Sequence, residues 1–487
     1  MEALWWICLK KKLLLLVFLL YIIFLSSIIT AEGFSKENKK QSFSELKKHD
    51  PIIISSDEQF SLFPGNGTKE NPYRIENYSI STPYLSGIYI KGTSVHFVIQ
   101  NCFINAGQTR SAIYIAFVTN GTPVIKNNTI IQSNYGIEIL YTDSSIIENN
   151  TIKSHDNSGI KISSSHFTTI SSNHIMKNGG HGILLDVANN STVYKNVIED
   201  NLGYGIYSVF SYFSNFSSNY LIHDIIFFYE QETEMYNSCF FSNNLINGLP
   251  ISIHIDTEGK IISGDLGFLM IINCFNLTIT NLNITDSDTG IYIYNSEDII
   301  ITNSTLKDTH QESIIVSKSE NVILDKNIIS YSSQTAINIY FSSNIYLCDN
   351  LFFRNYYGIE IDDSFNCSIV YNTFEQNINY AILLKSNSSL VLVHHNLFIN
   401  NNFLGNSQAY DEGQNNIWYD KETKKGNYWS DYEKKGVYSI DGSAHSYDPF
   451  PEGKKETTST PFYFLSISSS LIFLYITKKK LRKRKIG

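Results

Sequence analysis

The chain has 487 residues, of which only 17% are charged and 9 are prolines, a balance that excludes a disordered polymer. Its formal charge of −9 conceals a polarity: with Lys10 to Lys12, Glu2 and the seven basic residues from Lys478 to Lys485 set aside, 27 basic residues face 45 acidic ones. A body that acidic excludes nucleic acid as a partner, because phosphates demand clustered Lys and Arg.

In chain order, "KKKLLLLVFLLYIIFLSSIITAEG" places three lysines before an apolar run and small or polar residues after it, which predicts a signal peptide or N-terminal anchor over 1–31. A linker is expected over 32–59. Near the other end, "PFYFLSISSSLIFLYIT" (461–477) is apolar again, and "KKKLRKRKIG" (478–487) follows it directly. At about 1.5 Å per residue this segment reaches roughly 25 Å, and the flanking lysines can snorkel, so it reads as a transmembrane helix with a basic cytoplasmic tail. The expectation is a single-pass cell-membrane protein whose main domain is extracellular. Beyond the leader, Cys102, Cys239, Cys274, Cys348 and Cys367 form no CxxC and read as small buried residues, not as a disulfide framework.

The body is repetitive. "GIYI" stands at 87, "AIYI" at 112, "GIEI" at 136, "GIKI" at 159, "GILL" at 182 and "GIYS" at 205; the phrase resumes with "GIYI" at 290, "SIIV" at 313, "AINI" at 336, "GIEI" at 358 and "AILL" at 381. A second column keeps step with it: Asn128, Asn150, Asn173, Asn196 and Asn219, then Asn327, Asn350, Asn372 and Asn396. Such units are too short for two helices, and their apolar residues alternate with period two. Ile137 and Ile139 share one face with Glu138 between them on the other, as Ile359 and Ile361 do around Glu360. Strands of this kind stack turn on turn about 4.8 Å apart, burying aliphatic side chains inside and letting asparagine amides bond along the ladder. The fold class is therefore all-β, a parallel β-helix solenoid with about 23 residues per turn, drawn out into a rod of roughly 60 Å. Residues 60–86 read as the N-terminal cap and 87–405 as the repeats. The stretch 222–268 reads as irregular turns with a protruding loop, 406–455 as the C-terminal cap and 456–460 as a linker.

The "GIYI…NNTI" turns, the opening "FPGNGTKENPYRIENYSI" (63–80) and the closing "GNYWSDY" (426–432) with "DPFP" (448–451) resemble the NosD-like branch of right-handed parallel β-helix proteins. Archaeal surface proteins of this type share the opening and closing phrases. That superfamily is also described as carbohydrate-binding and sugar-hydrolysis repeats, and the resemblance covers roughly residues 60–451. It implies a right-handed coil and a surface for sugars. NosD's association with copper does not transfer on the residues: the histidines are scattered, and His394 and His395, as neighbours on a strand, are expected to point to opposite faces. No metal and no cofactor is expected.

Open strand edges at a solenoid's end invite pairing, so a terminal unit must differ from the rest, and Trp429 with its tyrosines reads as a plug or as an aromatic sugar platform. Tyr89, Tyr114, Tyr207, Tyr292 and Tyr340 take outward strand positions and, with Trp429, are the ligand-binding candidates. The catalytic candidates are Glu360, Asp362 and Lys385, carboxylates and a cation on adjacent turns suited to acid–base work on a glycan. The expected function is a membrane-anchored surface protein that binds extracellular glycans or neighbouring surface proteins. A polysaccharide lyase, epimerase or hydrolase is the alternative, and a NosD-like accessory factor the third reading. Sequons such as Asn66-Gly67-Thr68 and Asn283-Ile284-Thr285 are acceptor positions if the body is secreted.

Overall fold

In the computed structural model, residues 46–229, 233–403, 405–433 and 435–453 are described. The expected leader (1–31), linker (456–460), transmembrane helix (461–477) and basic tail (478–487) lie outside the described residues. Among the described residues, no helix is long and apolar enough to cross a membrane.

The repeats form a parallel β-solenoid of three short strands per turn. Within one turn, Ile137–Leu140 leads into Ile146–Glu148 and then Thr151–Lys153, each pairing in parallel with its counterpart one turn on. Ile137 aligns with Ile160 and Ile183, and all three are fully buried. The coil starts earlier than the expected linker allowed. Ile52–Ile54 pairs with Ile88–Ile90, and Ile52 and Ile54 are buried in the same inward column. The alternation inside "III" puts two of them on the core face.

The corners depend on buried asparagines. Asn150 Nδ2 donates to Asn173 Oδ1 at 3.0 Å and Asn173 Nδ2 to Asn196 Oδ1 at 3.0 Å, while Asn173 Nδ2 also meets the Ile147 carbonyl at 2.9 Å. A second ladder runs Asn327, Asn350, Asn372, Asn396 and Asn427. The residue before each of the asparagine rungs from Asn128 to Asn396 is in the left-handed region: Asn149 at φ 57°, Ser172 at 55°, Lys195 at 55°, Asp349 at 54° and His395 at 57°. The chain turns there, and the next amide pins the turn from inside.

The solenoid is two coils, not one straight rod. The first coil's GIxI sheet ends at Ile226–Tyr229. Leu245–Ile246, the last of the strands that follow the asparagines, then pairs antiparallel with Leu249–Ile255, from which the second coil's GIxI sheet grows through Phe268–Ile272 and Ile291–Tyr294. The reversal exchanges the faces of the sheet. Phe268, Met270 and Ile272 belong to the first core, whereas Leu269 and Ile271 between them belong to the second. Residues 222–229 and 233–268 thus join the two coils, and the five consecutive apolar residues "FLMII" are buried on both sides.

The far end is plugged. Phe352, Phe374 and Phe398 stack at 4.7 and 5.1 Å, Trp429 continues the stack at 4.1 Å, and Tyr438 closes it at 4.0 Å. Trp429 is fully buried and donates through Nε1 to Asp448 Oδ2 at 3.0 Å. It offers no face to a ligand, which corrects its place among the binding candidates: the phenylalanine column needed an end, and the widest aromatic supplies it. Gly426 is required here, since a Cβ would meet Asp448 Oδ1 at 1.9 Å.

Replacing a ladder amide strips its neighbours of buried partners. Asn173→Ala is expected to destabilise the fold by about 1–3 kcal/mol in urea unfolding, whereas Asn134→Ala, on the solvent side of the coil, stays within about 0.5 kcal/mol.

Candidate functional site

Because inward isoleucines alternate with outward residues, the first GIxI sheet carries one external column in strict register: Ile53, Tyr89, Tyr114, Glu138, Lys161, Leu184, Tyr207 and Phe227. At about 4.8 Å per rung the column runs for roughly 34 Å. The Tyr89 and Tyr114 rings stack at 5.0 Å with planes 6° apart. Each has one face covered by the other, so their edges and hydroxyls face outward. They line a cleft of about 490 Å³ with Ile53, Leu85, Arg110, Ser111 and Glu138. Ser111 Oγ donates to Glu138 at 2.5 Å and Lys161 Nζ approaches it at 3.1 Å, which fixes the carboxylate's orientation. Partial burial, followed by Tyr89 and Glu138, pushes the Tyr114 hydroxyl up.

At its far end the column runs into the second coil. His181 lies 4.6 Å from Tyr207 and 5.6 Å from Tyr204, Tyr204 stacks on Phe227 at 4.5 Å, and Phe227 meets Tyr292 edge-on at 5.2 Å. Tyr207, Tyr292 and Tyr340 are thereby drawn to one corner. Tyr292 is outward on its own sheet, yet the first coil covers it to 5% exposure, so it is a wall and not an open platform. Tyr292 hydrogen-bonds Tyr340, and Tyr204 feels the charge of Glu312. Burial pushes the Glu312 carboxyl up, against a hydrogen bond from Asn338 and with Glu360 nearby. Lys385 ion-pairs Glu360 at close range and Asp362 at 3.5 Å, and the Glu360 hydrogen bond raises its ammonium. Glu360, Asp362 and Lys385 therefore form one cluster. The sequence reading did not place Glu312, Tyr204 or His181 among its candidates. His181 and Tyr204 both immediately precede the small residue of the repeat phrase, a position that Tyr135, Tyr357 and Tyr380 also occupy, and that column was legible.

Beside the corner, the coils meet through an ionisable seam. His223 Nδ1 lies 2.7 Å from Asp200 and its Nε2 lies 3.4 Å from Asp286, while His310 approaches Asp286 at 3.7 Å and Asp288 at 3.8 Å. Asp224 ends an amide column, accepting from Asn201 Nδ2 at 2.9 Å. Among the described residues, Asp224 Oδ1 and Asp288 Oδ2 are buried without hydrogen-bond partners. Burial pushes Asp224 up to about 8 and Asp288 up to about 7.

A family described as "Periplasmic copper-binding protein (NosD)" matches residues 234–434, and one described as "Right handed beta helix region" matches residues 86–262. With the solenoid fold, these matches support a NosD-like right-handed β-helix protein. No curated protein matches the chain. Among solved structures, the A-module of the Azotobacter vinelandii mannuronan C-5 epimerase AlgE6 aligns at 13% identity over 77% of this chain and 91% of its own, with a TM-score of 0.29. A DFA-IIIase from Arthrobacter chlorophenolicus A6 aligns at 9% identity over 77% and 97%, with a TM-score of 0.29. The tailspike of E. coli bacteriophage HK620, in complex with a pentasaccharide, aligns at 10% identity over 80% and 68%, with a TM-score of 0.26.

The seam predicts a pH dependence. Asp224 and Asp288 hold their protons more tightly folded than unfolded, and His223, raised mainly by its Asp200 hydrogen bond, does the same. The stability they contribute is present at low pH and lost as pH rises through the folded values. His155, His181 and His254, pushed down to about 4 by desolvation, oppose this trend only at lower pH. The urea midpoint is expected to fall between about pH 7 and 8.5, and Asp224→Asn is expected to flatten that fall.

Proposed function

We propose that this chain binds glycans along the outward face of its first GIxI sheet. The observation that carries the reading is the single register column from Tyr89 to Phe227, which spaces aromatic and hydrogen-bonding groups one rung apart and ends against the aromatic corner. A sugar ring presents apolar C–H patches beside hydroxyls. An aromatic edge next to an oriented carboxylate and a guanidinium suits both. The Glu138 carboxylate, held by Ser111 and Lys161, is such an acceptor without further ordering. The acidic body makes neutral or cationic glycans, or basic patches on neighbouring surface proteins, the partners of choice. The apolar segment at 461–477, followed directly by its basic block, supports a body held outside the cell by a C-terminal anchor.

The corner favours a second reading, a glycan lyase, epimerase or hydrolase. Glu312, held toward its neutral form by burial, stands beside Glu360, which is tied to Lys385. Two carboxyls in such unlike surroundings are the usual arrangement for dividing acid from base. Lys385, shared between Glu360 and Asp362, then orients the Glu360 carboxyl.

Screening the full-length protein on a glycan array, with product analysis of every glycan bound, separates the two readings. Tyr89→Ala/Tyr114→Ala is expected to weaken glycan binding by about tenfold or more, the loss of one to two good contacts. No bound glycan, or binding indifferent to that pair, overturns the binding reading. Turnover of a bound glycan that Glu312→Gln abolishes would establish the catalytic one. Binding without product would exclude it.

A further inference from the structure

We infer that His394, His395 and Asp420 form a binding site for a borderline divalent metal ion of the zinc or copper(II) class. The site is separate from the glycan column, on the flank of the second coil where the last repeat meets the C-terminal cap. It was not expected from sequence, because adjacent residues of a strand point to opposite faces. That rule fails here for a reason built into the fold. Leu392–His394 is the strand that precedes a ladder asparagine, and His395 is the corner residue with φ 57°. At such a corner the last strand residue and the turn residue both face outward, as Cys348 and Asp349 do two rungs earlier, where Cys348 Sγ contacts the Asp349 carboxylate at 3.4 Å.

The two imidazoles consequently meet through their Nδ1 atoms at 2.6 Å, with rings 77° apart. A carboxylate oxygen of Asp420 lies within 4.8 Å of a ring nitrogen of each histidine. Every donor is held from behind. Asn396 N donates to Asn427 Oδ1 at 3.1 Å and anchors the rung from the core, and His395 N donates to the Gly426 carbonyl at 2.8 Å. The His395 ring stacks on Tyr371 at 4.8 Å. Asp420 opens a tight turn closed by Asp420 N to the Lys425 carbonyl at 2.8 Å, and its carboxylate is oriented by Glu422 N at 2.9 Å and Thr423 Oγ1 at 2.5 Å.

Two imidazole nitrogens and a carboxylate oxygen converging from rigid backbone make a three-ligand set with an open position. With metal–nitrogen bonds of about 2.0–2.1 Å, the 2.6 Å pair opens by about 0.3 Å for two nitrogens at 90° on a tetragonal copper(II) and by about 0.7 Å for two on a tetrahedral zinc. Nitrogen and oxygen donors without thiolate or thioether select zinc, copper(II) or nickel over copper(I), and the imidazoles select against calcium and magnesium. The copper named in the NosD family's description fits this donor set as copper(II). Among the described residues, a second cluster, Asp325, Cys348 and Asp349, has an exposed carboxylate and no imidazole, and carries no such argument.

The test is titration calorimetry of the metal-stripped full-length protein with zinc, copper(II) and calcium chlorides. One site per chain with micromolar or tighter affinity for zinc and copper(II), and none for calcium, is expected. His395→Asn keeps a residue that tolerates the left-handed corner and is expected to weaken that affinity by more than about tenfold, with Thr423→Ala weakening it less. Electron paramagnetic resonance of the copper(II) form reports the coordinating nitrogens independently of folding effects, and two are expected, falling to one in His395→Asn. A wild-type protein that takes up neither ion, or uptake with the same nitrogen count in His395→Asn, overturns the site.

Discussion

A coil made of three short strands turns a corner every few residues, and at each corner the backbone amides and carbonyls have no partner within their own turn. They must be satisfied by the turns above and below, at a fixed spacing, or remain buried and unpaired. The asparagine ladders solve this. Each amide oxygen accepts from the preceding rung's backbone N–H, and each amide nitrogen donates to the following amide and reaches a carbonyl of the preceding turn. A side chain one methylene longer or shorter would not meet all three. The length of the repeat, the left-handed residue before each rung and the stacking of isoleucines inside all follow from keeping those amides in line.

Where the ladder of the first coil stops, the constraint changes character. The antiparallel contact of Leu245–Ile246 with Leu249–Ile255 lets one sheet serve two cores in succession, so its outer surface in the second coil is packed by the end of the first. Aromatic side chains that would be scattered along a straight rod converge instead, and Asp224 and Asp288 lose their water at the seam.

Such a fold separates duties by direction. Inward residues hold the coil, and almost any substitution there costs stability. Outward residues contact mainly their own column, so chemistry can vary from rung to rung while the backbone stays the same. A tyrosine pair, an oriented carboxylate and a lysine-tied acid pair occupy outward columns. The His394–His395–Asp420 cluster occupies another, at a corner where two successive side chains face the same way.

The repeat period, the inward isoleucines and the amide column were legible from the sequence, because each is a local requirement met again every 23 residues or so. The alternation in "GIEI" and the position of Asn173 state their own environments. The start of the coil at Ile52 was legible in principle, since only period two was needed to see it. Residues 222–268 were not legible in this way. "FLMII" reads as an ordinary buried strand, and nothing in it says that alternate residues go to different cores, because that depends on which strand end it meets after a reversal. Burial of Tyr292, the neighbourhood of Glu312 and Tyr204, and the convergence of His394 with His395 rest on the same kind of information. The sequence by itself determined the coil, since every rung repeats one local solution to pairing buried backbone. Only the tertiary structure decided the aromatic and acidic corner beside the seam, because its groups come from two coils, and that meeting is set by contacts far apart in the chain.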